Sequence, residues 1–191
     1  NVKKYLTWDD FEVVPKLAHD NGMKANLYVS LFDEGWPLPS REEREISYHN
    51  NMHGQHVSWQ SSFSHEHPEY AILDRNGSTR QWGVLCLAYE EVRKYFVKLY
   101  LELLDEYDFD GLFVCFRSQS KPAEFADQFN FNEPVRRDFQ KIYGKDILKD
   151  DFNLQDWRDL VGKYITDFLR VLKNELRKKN RSLSIGLARG D

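Results

Sequence analysis

The sequence has only two cysteines among its 191 residues, Cys86 and Cys115. Each lies in or beside an apolar run, which is typical of a buried free thiol. Two cysteines in a chain of this length do not make a disulfide framework. We therefore expect two buried thiols, with a single disulfide between them as the alternative.

Long apolar runs and an excess of positive charge are also missing. No run approaches the roughly 20 residues of a membrane span, and no signal peptide is recognisable at the first residue, Asn1. The 27 basic residues are outnumbered by 31 acidic ones, giving a net charge of −4. This composition predicts neither a membrane span nor a nucleic-acid partner. Hydrophobic residues make up 41% and aromatic residues 15%, enough to bury a core and to argue against disorder.

Helix-type and strand-type patterns alternate along the chain. The first predicted helix is capped by Thr7 and ends at Asn21 and Gly22. Further helices are predicted over 90–107, 134–143 and 157–179, and strands over 24–32, 112–116 and 183–188, of which the first two are predicted to be buried. The segment from 38 to about 88 is predicted to be a long loop with minor strands at 71–73 and 83–87.

This alternation predicts an α/β fold with a parallel sheet. A closed barrel needs eight strands and about 250 residues, so we expect one truncated domain over 1–191, a partial (β/α)8 TIM-type barrel with a long inserted loop. An open sheet is the alternative. Open sheet edges would favour self-association.

Several short stretches, in their order along the chain, resemble bacterial barrels of the "glycosyl hydrolase-like 10" type. The stretches are His67-Pro68-Glu69-Tyr70-Ala71-Ile72-Leu73-Asp74-Arg75-Asn76-Gly77, Glu91-Val92-Arg93-Lys94-Tyr95, Tyr107-Asp108-Phe109-Asp110-Gly111-Leu112-Phe113, Phe131-Asn132-Glu133-Pro134-Val135 and Tyr143-Gly144-Lys145-Asp146-Ile147. The resemblance implies a TIM-type barrel that hydrolyses or binds polysaccharide, in a secreted or periplasmic setting. It also implies an acidic residue near the end of the Asp-Gly strand, where this chain has Cys115, with Arg117 just beyond.

Three carboxylates are candidates for acid/base catalysis. Glycoside hydrolysis typically uses two carboxyl groups, one protonated and one ionised, that flank the scissile bond. Asp33 and Glu34 directly follow the first predicted strand, where a TIM-type barrel places its site. Glu133 follows Asn132 and precedes Pro134, like the acid/base motif of many retaining barrel glycosidases, although the same three residues also suit a helix N-terminus.

Other polar and aromatic residues are candidates for sugar binding. Flat aromatic rings suit the apolar faces of sugars, and a guanidinium at a strand end can hold a substrate or orient a carboxylate. Packing of the loop onto the domain is the alternative for each tryptophan. The predicted sugar-binding set is Trp36, Trp59, Trp82, His65, Asn132 and Arg117.

Five histidines, at 49, 53, 56, 65 and 67, fall in the long loop and raise a metal hypothesis. No helix or cysteine fixes their spacing as structural zinc sites require, so we predict no metal and no cofactor. The principal hypothesis is a glycoside hydrolase with a carbohydrate substrate. A non-catalytic carbohydrate-binding barrel is the alternative, and a metal-dependent hydrolase is the third.

Overall fold

The computed structural model describes residues 9–35, 60–116, 125 and 127–186. Within these ranges it has five α-helices and five strands. In chain order they are α1 Asp10–Asp20, β1 Asn26–Ser30, α2 Ser62–Glu66, β2 Ala71–Leu73, β3 Arg80–Leu85, α3 Glu90–Glu106, β4 Gly111–Cys115, α4 Glu133–Tyr143, α5 Leu154–Lys178 and β5 Ser182–Gly186. None of these helices combines the length and the apolar character of a membrane span.

The three main predicted strands form one parallel sheet in the order β1-β4-β5, in which β5 is mostly exposed among the described residues. At its carboxyl edge, Ser30 pairs with Cys115 and Cys115 pairs with Gly186. The prediction that these runs lie side by side and point the same way is confirmed. Strands β1, β4 and β5 form an open sheet, and β2 and β3 form a separate pair, so the described strands do not close a barrel.

One face of the sheet is buried under helices. Leu27 and Val29 of β1 alternate with exposed residues, and Leu112 and Val114 of β4 are fully buried on the same face. Helices α3 and α5 contact each other, α5 contacts β5, and Phe96 meets Phe168 edge to face with their centroids 6.2 Å apart. Burial of these side chains is the main stabilising contribution.

The opposite face carries a stacked aromatic pair. Tyr28 remains 57% exposed among the described residues, and its ring lies 5.7 Å from Phe113 at an angle of 16°. Phe113 also covers Gly186, where a Cβ atom would lie 2.3 Å from the ring. Tyr28 and Phe113 therefore lie along the surface of the sheet, each in contact with a residue of the next strand.

Part of the predicted long loop is more ordered than the sequence suggested. β2 and β3 form an antiparallel pair with an irregular register between Ala71 and Ile72, so the strands are not all parallel. The backbone N–H of Phe131 donates to the carbonyl of Leu73 at 2.9 Å, which ties the segment before α4 to β2. The hairpin lies between β1 and α3 in sequence.

The predicted N-cap of the first helix is wrong. Asp9 caps α1, and its side chain accepts a hydrogen bond of 2.9 Å from the backbone of Phe11. Thr7 lies outside the described residues. A carboxylate at this position also suits the positive end of the helix dipole. The predicted end of α4 at Gly144 is confirmed, with a left-handed φ of 70°.

The Asp110-Gly111 pair fixes the amino edge of the sheet. Asp110 Oδ2 accepts the backbone N–H of Ala25 at 2.8 Å and lies 2.9 Å from His19 Nε2. These hydrogen bonds, with that of His19 the stronger influence, lower the pKa of Asp110. A Cβ atom on Gly111 would lie 2.3 Å from the backbone oxygen of Ser182, so only glycine fits between β4 and β5.

Two glycines provide a matched test of this close approach. We expect Gly111→Ala to reduce the free energy of unfolding by about 1–3 kcal/mol, because backbone must move. Gly162→Ala places a methyl group where nothing lies within 4 Å inside α5, and should increase stability by about 0.5–1 kcal/mol. Urea unfolding of both variants checks this. A stable Gly111→Ala variant would contradict the close approach.

Candidate active site

The best-defined candidate is Glu34, four residues beyond the carboxyl end of β1. Its backbone N–H donates to the carbonyl of Gly83 at 3.0 Å, and its own carbonyl accepts from Ser61 at 3.0 Å. Gly35 follows with φ of 79° and bridges to Gln60. The loop after β1 is thus held between β3 and the segment before α2. Glu34 is 5% exposed, an unusual position for a carboxylate.

Two hydroxyl groups contact the Glu34 carboxyl group. The Tyr95 hydroxyl on α3 donates to Oε2 at 3.0 Å, and the Ser61 hydroxyl also hydrogen-bonds the carboxyl group. Burial raises the pKa of Glu34 above its ordinary 4.5, and the neighbouring charge of Asp33 adds to this; the two hydrogen bonds lower it. The net shift is upward, so Glu34 holds its proton to higher pH than a free side chain.

Asp33 lies beside Glu34 but in a more open position. It is half-buried, and burial raises its pKa too. The two adjacent carboxyl groups predicted from the sequence therefore both hold a proton to higher pH than free side chains do, with Glu34 the more buried of the two. A proton donor is the chemical role that such a pair suits best.

A cluster of aromatic rings extends from Glu34 along α2 and the hairpin. Phe63 stacks on Tyr95 with centroids 4.0 Å apart and an angle of 3°, and it lies 5.7 Å from Tyr70. Tyr70 continues to Tyr89 at 4.7 Å. We call Phe63, His67, Tyr70, Tyr89 and Tyr95 the aromatic cluster. The sequence analysis did not identify it as part of a site.

Glu133 is found at the start of α4, as the helix interpretation of Asn-Glu-Pro predicts. Its carboxylate is 68% exposed, and Oε2 lies 3.7 Å from Arg137 Nη1 one turn along. It lines a groove of about 560 Å³ between α3, α4 and α5, together with Tyr89 and Lys163. None of the contacts among the described residues joins Glu133 directly to Glu34.

Asn132 has a clear structural role. It is 1% exposed; its Nδ2 donates to the carbonyl of Ala71 at 3.0 Å, and its Oδ1 accepts from the N–H of Leu73 at 3.1 Å. Its side chain therefore binds the β2 backbone and does not cap α4. It also hydrogen-bonds Tyr89, which links it to the aromatic cluster.

The remaining predicted residues divide into two groups. Trp82 is half-buried on β3, directly before the Gly83 that binds the Glu34 backbone, and His65 is exposed in the last turn of α2. Both therefore belong to elements that hold the Glu34 loop. Trp36, Trp59 and Arg117 lie outside the described residues.

The positions of the described His and Cys side chains bear on metal and thiol chemistry. No group of three or more His, Cys, Asp or Glu side chains that could hold a metal occurs within the described ranges, and His49, His53 and His56 lie outside them. Both cysteines are buried and neither forms a disulfide, as expected. Burial raises the pKa of Cys86 to about 12, which disfavours a reactive thiolate.

Comparison with known proteins supports the fold and little more. No protein-family model matches the sequence, and no curated protein matches it. Among solved structures, the chain is similar to the α-galactosidase of Lactobacillus brevis, with 15% identity and a TM-score of 0.50. The match covers 98% of this chain and 19% of that enzyme. At this identity the likeness concerns the α/β fold alone.

The raised pKa of Glu34 predicts a specific pH dependence of stability. A group whose folded pKa lies above its unfolded value stabilises the protein at low pH and loses this contribution as pH rises through the folded pKa. Glu34→Gln should therefore gain stability relative to wild type as pH rises from 4.5. Urea unfolding across pH measures this gain, with Glu133→Gln as the exposed control. A constant difference between Glu34→Gln and wild type would contradict the burial of Glu34.

Asn132 allows a separate test of structure against ligand binding. Asn132→Ala leaves the backbone N–H of Leu73 without its side-chain partner, while the carbonyl of Ala71 keeps its hydrogen bond from Arg80. We expect a loss of about 1–3 kcal/mol, typical of an unsatisfied buried polar group. Thermal unfolding measures it. Unchanged stability together with weakened sugar binding would assign Asn132 to the ligand instead.

Proposed function

We propose that this protein is a glycoside hydrolase-like enzyme that acts on a poly- or oligosaccharide by carboxylate acid/base catalysis. The observation that carries the proposal is Glu34, a buried carboxyl group at the carboxyl edge of a parallel sheet, with a raised pKa and two hydroxyl partners. Carboxyl groups whose pKa is raised by burial are typical of catalytic acids.

In the proposed mechanism Glu34 protonates the glycosidic oxygen of the leaving group. Asp33, also with a raised pKa, is the second candidate for this step. Glu133 is the proposed ionised partner, since it is exposed and paired with Arg137. Trp36, Trp59, Trp82, His65 and Arg117 are the proposed sugar-contacting residues, through ring faces and hydrogen bonds. Asn132 is left out of this set, because it is buried against the β2 backbone.

The partial barrel is part of the same proposal. The flush carboxyl ends of β1, β4 and β5 support it, because sites in TIM-type barrels form at that edge. The exposed Tyr28 and its partner Phe113 also support it, since they occupy the face that would point into a barrel. The structural likeness to an α-galactosidase agrees with this arrangement.

A non-catalytic carbohydrate-binding protein is the second candidate. Cys115 favours it, because it is buried at the end of β4 and offers no carboxylate there. The aromatic cluster is compatible with either candidate, since ring faces bind sugars with or without turnover.

The test is hydrolysis of nitrophenyl glycosides by the purified 191-residue chain, beginning with the α-galactoside because of the structural likeness. We expect Glu34→Gln to reduce kcat/KM by at least about 100-fold, the usual contribution of a general acid. Glu133→Gln should reduce it similarly if Glu133 is the partner. Binding of oligosaccharides without turnover, unchanged in both variants, would favour the second candidate. Neither binding nor turnover would reject both.

A further inference from the structure

The aromatic and hydroxyl groups around Glu34 suggest a role that the sequence did not indicate. Tyr95 belongs to α3, and its ring is clamped against Phe63 with almost parallel planes 4.0 Å apart. This stacking leaves the hydroxyl group facing Glu34 Oε2 at 3.0 Å. Phe63 therefore fixes the position of the Tyr95 ring, and Glu34 accepts the hydrogen bond of its hydroxyl group.

We infer that Tyr95 is a positioning residue: its hydroxyl group holds Glu34 Oε2 as a hydrogen-bond acceptor, so that the transferable proton of Glu34 lies on Oε1. This inference rests on the proposed function. A protonated carboxyl group has one oxygen that carries hydrogen and one that accepts well. A hydrogen-bond donor fixed at Oε2 therefore makes Oε2 the accepting oxygen and leaves the proton on Oε1.

The chemistry of Tyr95 suits a permanent donor. Burial and the nearby Glu34 raise the pKa of Tyr95, so the phenol keeps its proton. The Ser61 hydroxyl, which caps α2 by accepting the N–H of Ser64 at 3.0 Å, also contacts the Glu34 carboxyl group. Helix α3, the segment before α2 and the β1 loop thus meet at one carboxyl group.

The charged and titratable groups facing Glu34 are few. Asp33 on the same loop raises its pKa, and Tyr95 and Ser61 lower it by hydrogen bonding. Tyr100 interacts with Glu34 from the next turn of α3, but its hydroxyl group donates to the carbonyl of Ser30 at 3.4 Å. The Tyr95 hydroxyl also hydrogen-bonds the Ser61 side chain, but only Ser61 accepts the N–H of Ser64 that caps α2. Tyr95 is therefore the donor whose removal leaves that capping hydrogen bond in place.

Tyr95→Phe is the decisive variant, because it keeps the ring on Phe63 and removes the hydroxyl group. In the wild type this hydrogen bond favours the ionised form of Glu34. Its loss should therefore raise the pKa of Glu34 and move the alkaline limb of the kcat profile for glycoside hydrolysis to higher pH. The carboxyl resonance of Glu34, assigned with Glu34→Gln and followed by ¹³C NMR, should titrate at correspondingly higher pH.

Tyr164→Phe is the matched control. It also removes a tyrosine hydroxyl that donates to a carboxylate, Asp138 Oδ2 at 2.8 Å, but between α4 and α5. It should lose stability and leave both the pH profile and the Glu34 titration unchanged. A Tyr95→Phe variant with an unmoved Glu34 titration would overturn the inference. If no glycoside is hydrolysed, the proposed function fails, while the titration still tests the Tyr95 contact.

Discussion

The register of β4 with its two neighbours is the constraint on which the rest of the structure depends. Ser30, Cys115 and Gly186 occupy the same register position. The ladder continues for one more hydrogen bond on each side of β4, from the N–H of Leu31 to the carbonyl of Cys115 and from the N–H of Phe116 to the carbonyl of Gly186. Because side chains alternate along a strand, a slip of one residue would move the buried leucines and valines to the open face. The same register brings the loops that leave the strands to one edge, and the loop carrying Glu34 is one of them.

A buried carboxyl group lowers stability unless its surroundings compensate. Removing a carboxylate from water costs several kcal/mol, and an apolar residue in the same place would avoid that cost. The structure keeps Glu34 with its backbone bound on two sides and its side chain bound by two hydroxyl groups. These contacts reduce the cost without removing it, since the pKa stays raised. The folded protein thus keeps a buried carboxyl group with a raised pKa, which a loop anchor alone would not need.

Much of the fold follows from sequence periodicity, because burial on one face leaves a regular pattern. The 157–179 stripe corresponds to α5, Leu154–Lys178, and the apolar run at 112–116 to β4. The contacts of the candidate site are harder to predict from the sequence. Tyr95 has the helical spacing of a core residue, and only the fold reveals that its hydroxyl group reaches Glu34. Asn132 looks like a helix cap, but its partners are 59 and 61 residues away in sequence. Contacts of this range depend on the folded arrangement and not on any local pattern.

The two proposed catalytic carboxylates have opposite surroundings. Glu34 is buried and has a raised pKa, whereas Glu133 is exposed and paired with Arg137. Acid/base pairs work when the environments of the two groups differ. The end of β4, where the resemblance implies an acid, offers the buried Cys115 instead. Under the proposed function, catalysis would use the loop after β1 and the start of α4. The ring contacts of the aromatic cluster and the hydrogen bond between Tyr89 and Asn132 link these two segments through the structure.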